Sequence, residues 1–230
     1  MTELILAVDT THEFGSLALL RGTELLEEVL LHSPEGFGQI LFERLAQLLE
    51  RQGQTVHDVD CFAAASGPGS FTGVRIGVAC VKGLAEATGK PVAAVSNLEA
   101  LATFGTAGIR AVVLDARRGE VYGAVYNGRG EAILPETVMP FTAWLRSLPA
   151  GEIEFISTDF SPFAAALRGT RFEKARIVTA PRVLAAGVGR IAYERWRAGR
   201  AEDPAGIDAN YVRRSDAELF WKEFCWNPDG

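Results

Sequence analysis

The chain has 230 residues, a formal net charge of −6 and 48% hydrophobic residues. That length fits one large domain or two small ones with full cores. The acidic balance argues against a nucleic-acid binder working alone, because phosphate neutralisation needs clustered basic side chains.

Three cysteines, Cys61, Cys80 and Cys225, with no Cys-x-x-Cys spacing, point to a reduced, cytoplasmic setting. The N-terminus MTELILAVDTT has no basic leader and reads as a first strand. No apolar run approaches the length of a membrane span. The three histidines, His12, His32 and His57, are scattered without metal-ligand spacing.

Leu4–Val8 is an apolar run ending in Asp9. Ser16–Leu20 and Glu24–Leu31 follow as strands, joined at Arg21-Gly22-Thr23 as a hairpin. Asp9 stands at the carboxyl end of strand one, where open α/β sheets place chemistry; capping of the next turn is the plainer alternative. Gly36–Arg51 carries apolar residues at helical spacing. Cys61–Ala65 reads as a buried strand.

Next comes the stretch around which the chain is organised, SGPGSFTGVRIGVACVK at 66–82. Its glycine turn opens a helix that runs to about Thr88. Gly89 stops that helix and Pro91 prevents its resumption. Gly73 and Gly77 lie four apart on one helix face, continued by Val81 and Leu84. A helix-interior glycine costs about 1 kcal/mol relative to alanine, so something packs close there: the sheet beneath, another helix or a second chain. A glycine turn at a helix start can also cradle phosphate. However, GPGSFTG has neither the Lys-Ser/Thr ending of a P-loop nor a GxGxxG spacing.

Val92–Val95 completes a strand–helix–strand crossover. Ser96 can cap a helix over Asn97–Phe104, with Glu99 completing a capping box. After a loop at 105–108 the pattern restarts. Ala111–Leu114 ends in Asp115, Val121–Tyr126 pairs with it, and Asn127-Gly128 turns into Ala132–Met139. A short helix at 142–148, a strand at 154–157, a short helix at 161–167 and a strand at 177–179 follow. Pro181–Ala198 reads as a long helix with proline in its first turn. Residues 206–214 are extended, and 216–224 reads as a terminal helix. Both halves thus begin strand, Asp, turn, strand, strand, helix. Two such β-β-β-α-β-α units of RNase H type form the actin/Hsp70/sugar-kinase superfold. The expected division is 1–104 and 105–214, with a C-terminal helix at 215–230 completing the first unit.

The segment ASGPGSFTGVRIGVACVKGLAEATGKPVAAVSNLEALA resembles the signature of the bacterial TsaB family. LAVDTTHEFGSLAL resembles its first two strands, and LDARRGEVYGAVY the opening of its second domain. Asn210-Tyr211-Val212-Arg213 resembles its tail more loosely. The resemblance covers nearly the whole chain and is weakest over 131–200. It implies the small, non-catalytic paralogue in the pathway for N6-threonylcarbamoyladenosine at position 37 of tRNA. It implies pairing with the transferase TsaD, self-association through the same face, a surface for the ATPase TsaE, and tRNA contact only through the complex. The expected interface is Ser70, Phe71, Thr72, Gly73, Arg75, Ile76, Gly77, Val78 and Val81. No catalytic residue is expected. TsaD carries two metal-binding histidines where this chain has Asn97 and Leu101, so no metal site is expected either. No cofactor is expected in the chain itself, with ATP or ADP and Mg2+ confined to an interface shared with partners. Asp9, Thr10, Gly67, Gly69 and Asp115 would line a vestigial nucleotide cleft. The alternative function is an ATP-dependent kinase or carbamoyl transferase acting through Asp9 and Asp115. A glycoprotease-like metallopeptidase ranks last.

Overall fold

The computed structural model of the chain describes residues 3–212. The terminal helix expected at 216–224, the aromatic tail with Cys225, and Arg213 and Arg214 lie outside the described residues. The first unit contains β1 (Leu4–Asp9), β2 (Phe14–Arg21), β3 (Glu24–His32), α1 (Leu41–Arg51), β4 (Cys61–Ala65), α2 (Phe71–Thr88), β5 (Val92–Val95) and α3 (Asn97–Ala102). The second contains β6 (Ile109–Asp115), β7 (Glu120–Asn127), β8 (Ala132–Pro140), α4 (Phe141–Ser147), β9 (Ile153–Ser157) and β10 (Arg176–Thr179), followed by α5 (Ala185–Arg197). The sheets run β3-β2-β1-β4-β5 and β10-β9-β6-β7-β8. Each is therefore an antiparallel three-strand meander with two parallel strands added beside its first strand. This is the doubled topology of the actin/Hsp70/sugar-kinase superfold.

The strand alternation sorts side chains between two faces of the first sheet. Leu4, Leu6, Val8, Leu17 and Leu19 face α1 and α2. Ile5, Ala7, Ala18, Cys61, Ala63 and Ala65 face α5. The second face is lined mainly by small residues, so α5 lies close on it; a Cβ added at Gly189 would come within 2.3 Å of Leu20 Cδ1. The two buried thiols, Cys61 and Cys80, are pushed up to about 12 by burial, which makes them inert packing groups.

Two expectations are corrected here. The long helix begins at Ala185, not Pro181, and it covers the first sheet although its residues follow the second. Its start is fixed from outside. Ala185 N–H donates to Ser16 Oγ of β2 (3.0 Å) and Ala186 N–H to Glu28 Oε1 of β3 (2.9 Å). Those acceptors supply the caps that its own sequence lacks. The capping box at Ser96 does not form either. Ser96 Oγ accepts from Leu98 N–H, but Glu99 turns away to pair with Arg195 of α5 at 2.6 Å.

α3 packs against the second sheet through Leu98, Leu101 and Ala102, and Ala100 touches α5. The two helices therefore fill the space between the sheets, each lying on the unit its sequence position does not suggest. The far face of the second sheet is closed by an aromatic cluster of Phe141, Trp144, Phe155, Phe160, Phe163 and Phe172. Among the described residues no helix is long and apolar enough to cross a membrane.

Candidate functional site

The carboxyl end of β1 is a buried polar centre. Asp9, Thr10 and Thr11 are fully buried. Asp9 Oδ1 accepts from Thr11 N–H (2.9 Å) and Thr11 Oγ1–H (2.6 Å). Thr10 Oγ1–H donates to the Gly73 carbonyl (2.7 Å), and Ser70 N–H to the Thr11 carbonyl (2.6 Å). Asn97, also fully buried, donates Nδ2–H to Thr11 Oγ1 and accepts Gly67 N–H at Oδ1 (3.2 Å). Asn210 N–H reaches the Ser66 carbonyl (2.7 Å), while its Nδ2–H reaches Glu136 Oε2 of β8 (2.6 Å). One network thus ties β1, the glycine turn, α3, the tail and the second sheet together. The sequence points to Asp9, Thr10, Gly67 and Gly69 but not to the ties through Thr11, Asn97 and Asn210. Their partners lie 86 and 74 residues away, beyond any local signal.

The glycine pair of α2 faces inward. A Cβ at Gly73 would sit 2.0 Å from the Thr10 carbonyl oxygen, and one at Gly77 2.6 Å from Thr10 Oγ1. A Cβ at Gly69 would meet the Thr11 carbonyl at 2.4 Å. Val78 and Val81 are buried on the same side. Gly73 and Gly77 thus approach the end of strand one of their own sheet, and Val78 and Val81 are buried in the core on that side. Helical spacing looks the same whichever surface the glycines approach, so the sequence could not choose between them.

The fit of a nucleotide at this centre can be tested on the same contacts. Asp9 Oδ2 is buried without a partner, as an acceptor awaiting a cation would be. But the amides a phosphate would need, at Thr11, Gly67 and Ser70, are committed to Asp9, Asn97 and Thr11, and the glycine turn sits directly on the Thr10–Thr11 backbone. Asp115 is exposed, accepts Arg117 N–H (2.8 Å), and lines a separate cavity of about 380 Å3 drawn from the second unit alone. With those amides already committed, the Asp9 centre does not fit a phosphate group. Asn97 and Leu101 carry structural duties, as hydrogen-bond tie and core residue. Among the described residues no group of three or more His, Cys, Asp or Glu is arranged to hold a metal ion.

Thr11 Oγ1 has one proton, given to Asp9, and accepts from Asn97. It therefore accepts again from His12 Nδ1 at 2.9 Å, which assigns the Nδ1–H tautomer. Burial lowers the His12 pKa, and the nearby Asp9 charge offsets this only in part. The folded chain therefore binds this proton more weakly than the unfolded chain does. The contribution of His12 to stability is complete above pH about 6.5 and is lost as pH falls below it. Melting curves between pH 7.5 and 5.5 are expected to fall less steeply for His12→Gln than for wild type. Parallel curves would exclude this coupling.

The opposite face of α2 is open. Ser70, Phe71, Thr72, Arg75, Ala79 and Gly83 are exposed, and Ile76 half-exposed. Phe71 is 46% and Tyr211 44% exposed, so both rings are open to solvent. The Arg75 guanidinium lies 3.7 Å over the Phe71 ring, and its Nε–H donates to Tyr211 Oη at 2.9 Å. The three contacts bring two aromatic rings and a cation together at the surface. The outward face of α1 is mixed: the charged Glu43, Arg44 and Glu50 stand beside Phe42, which is 58% exposed.

Residues 35–189 match the family model described as TsaD, tRNA N6-adenosine threonylcarbamoyltransferase. The chain is 31% identical, over 95% of its length and 98% of the relative's, to the tRNA threonylcarbamoyladenosine biosynthesis protein TsaB of Bacillus subtilis. The chain belongs to the TsaB family. Two solved structures from Pseudomonas aeruginosa share the fold of this TsaB-family chain. YeaZ has a TM-score of 0.72 at 30% identity, covering 91% of the chain and 99% of YeaZ. An uncharacterized protein with similarity to peptidase YEAZ has a TM-score of 0.76 at 29% identity, covering 92% and 100%.

Proposed function

We propose that this chain is a non-catalytic partner subunit in the formation of N6-threonylcarbamoyladenosine at adenosine 37 of tRNA. It pairs with a TsaD-type transferase and contributes to the surface that receives a TsaE-type ATPase. Family membership supplies the pathway. The observation that carries the partner role is the outer face of α2. Thr72, Ile76, Ala79 and Gly83 form a stripe of small and apolar residues on an 18-residue helix whose other face is already buried. Beside it stand Phe71, Arg75 and Tyr211. Aromatic rings and arginine are the residue types that concentrate interface energy, and small outward side chains admit a second helix at close range. The committed amides around Asp9 argue against the ATP-dependent enzyme.

The test is co-purification with the cognate TsaD-type protein. Ala79→Arg places a long charged side chain on the open stripe and touches no core residue. It is expected to weaken the complex by roughly a hundredfold while melting as wild type. Phe71→Ala should weaken it about tenfold. Unimpaired binding by Ala79→Arg would rule out this face. A wild-type chain that forms no complex, with ATP and the other pathway proteins present, would remove the partner reading itself. Loss of a homodimer alone would assign the face to a second copy of this chain.

A further inference from the structure

A second surface stands apart from both the Asp9 centre and α2. A groove of about 630 Å3 opens between α3, α5 and the β7–β8 turn. Arg110 of β6, Arg129 of the turn, Arg190 and Arg195 of α5, and Arg200 all line it. Three carboxylates, Glu99, Glu131 and Glu194, line it too. Five cations against three anions leave the groove positive in a chain of net charge −6. The pairing leaves that excess of two unchanged. Arg195 and Glu99 neutralise each other at 2.6 Å. Arg110 instead gives N–H groups to the main-chain carbonyls of Ala102 (3.2 Å), Ala107 (3.0 Å) and Gly128 (3.5 Å). Carbonyls fix a guanidinium in place without cancelling its charge, and two of its five N–H groups remain. Arg190 donates to the Thr23 carbonyl (3.4 Å) and also lies within electrostatic reach of Glu28.

Thr23 is also on the rim, just beyond Arg21, which pairs with Leu4 at the start of β1; Asp9 is at the other end of that strand. The Thr23 edge of the groove therefore lies roughly 17 Å from Asp9, at about 3.3 Å per strand residue.

We propose that this groove binds a phosphorylated ligand, with Arg110, Arg129 and Arg190 facing its phosphate oxygens. Guanidinium forks match phosphate geometry. Several cations spread along one groove suit a polyanion better than a lone carboxylate. The volume is that of an ordinary small-ligand site. A free nucleotide and an RNA backbone present the same phosphate chemistry. The proposal does not depend on the partner reading above.

The experiment is calorimetric titration of the full chain in low salt with ADP, with pyrophosphate and with a twelve-nucleotide oligouridylate. Arg129→Glu/Arg190→Glu is compared with Arg44→Glu/Arg146→Glu, which changes net charge equally on other surfaces. All four arginines are exposed, and circular dichroism checks that both variants fold. The groove double variant is expected to bind about tenfold or more weakly, and the control within about twofold of wild type. Tighter binding of the oligonucleotide, falling steeply with salt, identifies an RNA backbone as the source. Preference for ADP identifies a free nucleotide. The proposal fails if no probe binds at about 1 mM, or if both double variants lose binding equally, which would mean diffuse charge only.

Discussion

Gly73→Ala is expected to destabilise the chain by about 3 kcal/mol, the upper range for forcing a methyl into a packed interior. For a chain of this size that lowers the melting temperature by roughly 6–12 °C. The reason is the 2.0 Å separation between the added Cβ and the Thr10 carbonyl oxygen. That oxygen is main chain, at the end of a fully buried strand, and cannot rotate aside. Relief requires α2 to lift from β1, which also breaks the hydrogen bond from Thr10 Oγ1 to the Gly73 carbonyl. Gly77→Ala should cost less, about 1–2 kcal/mol, because its neighbour is a hydroxyl that can turn. Gly83→Ala is the control. It lies on the open face with nothing within 4 Å, and should be neutral or stabilising by up to about 1 kcal/mol. Thermal melts of the three variants check the ordering. A Gly73→Ala protein that melts like wild type yet loses its partner would move the glycine face back to the surface.

Asn97→Leu should cost roughly 3 kcal/mol, although leucine keeps the Cγ-branched outline of asparagine. The substitution leaves the buried Gly67 N–H without its Asn97 acceptor and takes one donor from Thr11 Oγ1. Each unsatisfied buried polar group costs about 1–3 kcal/mol. Amide exchange at Gly67 should accelerate with the loss of the Oδ1 acceptor. Asn97→Asp separates charge from geometry. It keeps that acceptor but sets a second carboxylate beside the Asp9–Thr11 pair, so burial and like charge favour its protonated form. The folded state then binds that proton more readily than the unfolded state, and the deficit of Asn97→Asp should shrink as pH falls. A melting temperature for Asn97→Leu within about 2 °C of wild type would show that the tie carries no weight.

The sequence by itself determined the strands, the doubled architecture and the family. Apolar runs of strand length, the hairpin turns at Gly22 and Asn127-Gly128, and the stop at Gly89 are local signals, set by backbone sterics and hydrophobic period. Gly89 is indeed left-handed at φ 66°, and α2 ends at Thr88. Tertiary structure alone decided which surfaces those elements meet. The apolar face of α5 is visible in its spacing, but the sheet that covers it is not. The match is one of shape, small side chains on β1, β2 and β4 against Gly189, and no local pattern encodes it. Gly73 and Gly77 pose the same ambiguity, since a close approach requires glycine whether the neighbour is a strand of the same chain or a helix of another. Glu99 could cap its own helix or pair with Arg195, and the pairing won because burial between two helices favours a charged partner over a local amide. The Arg-lined groove is collected from five separate stretches of chain, and only the folding of two sheets around α3 and α5 brings those charges together.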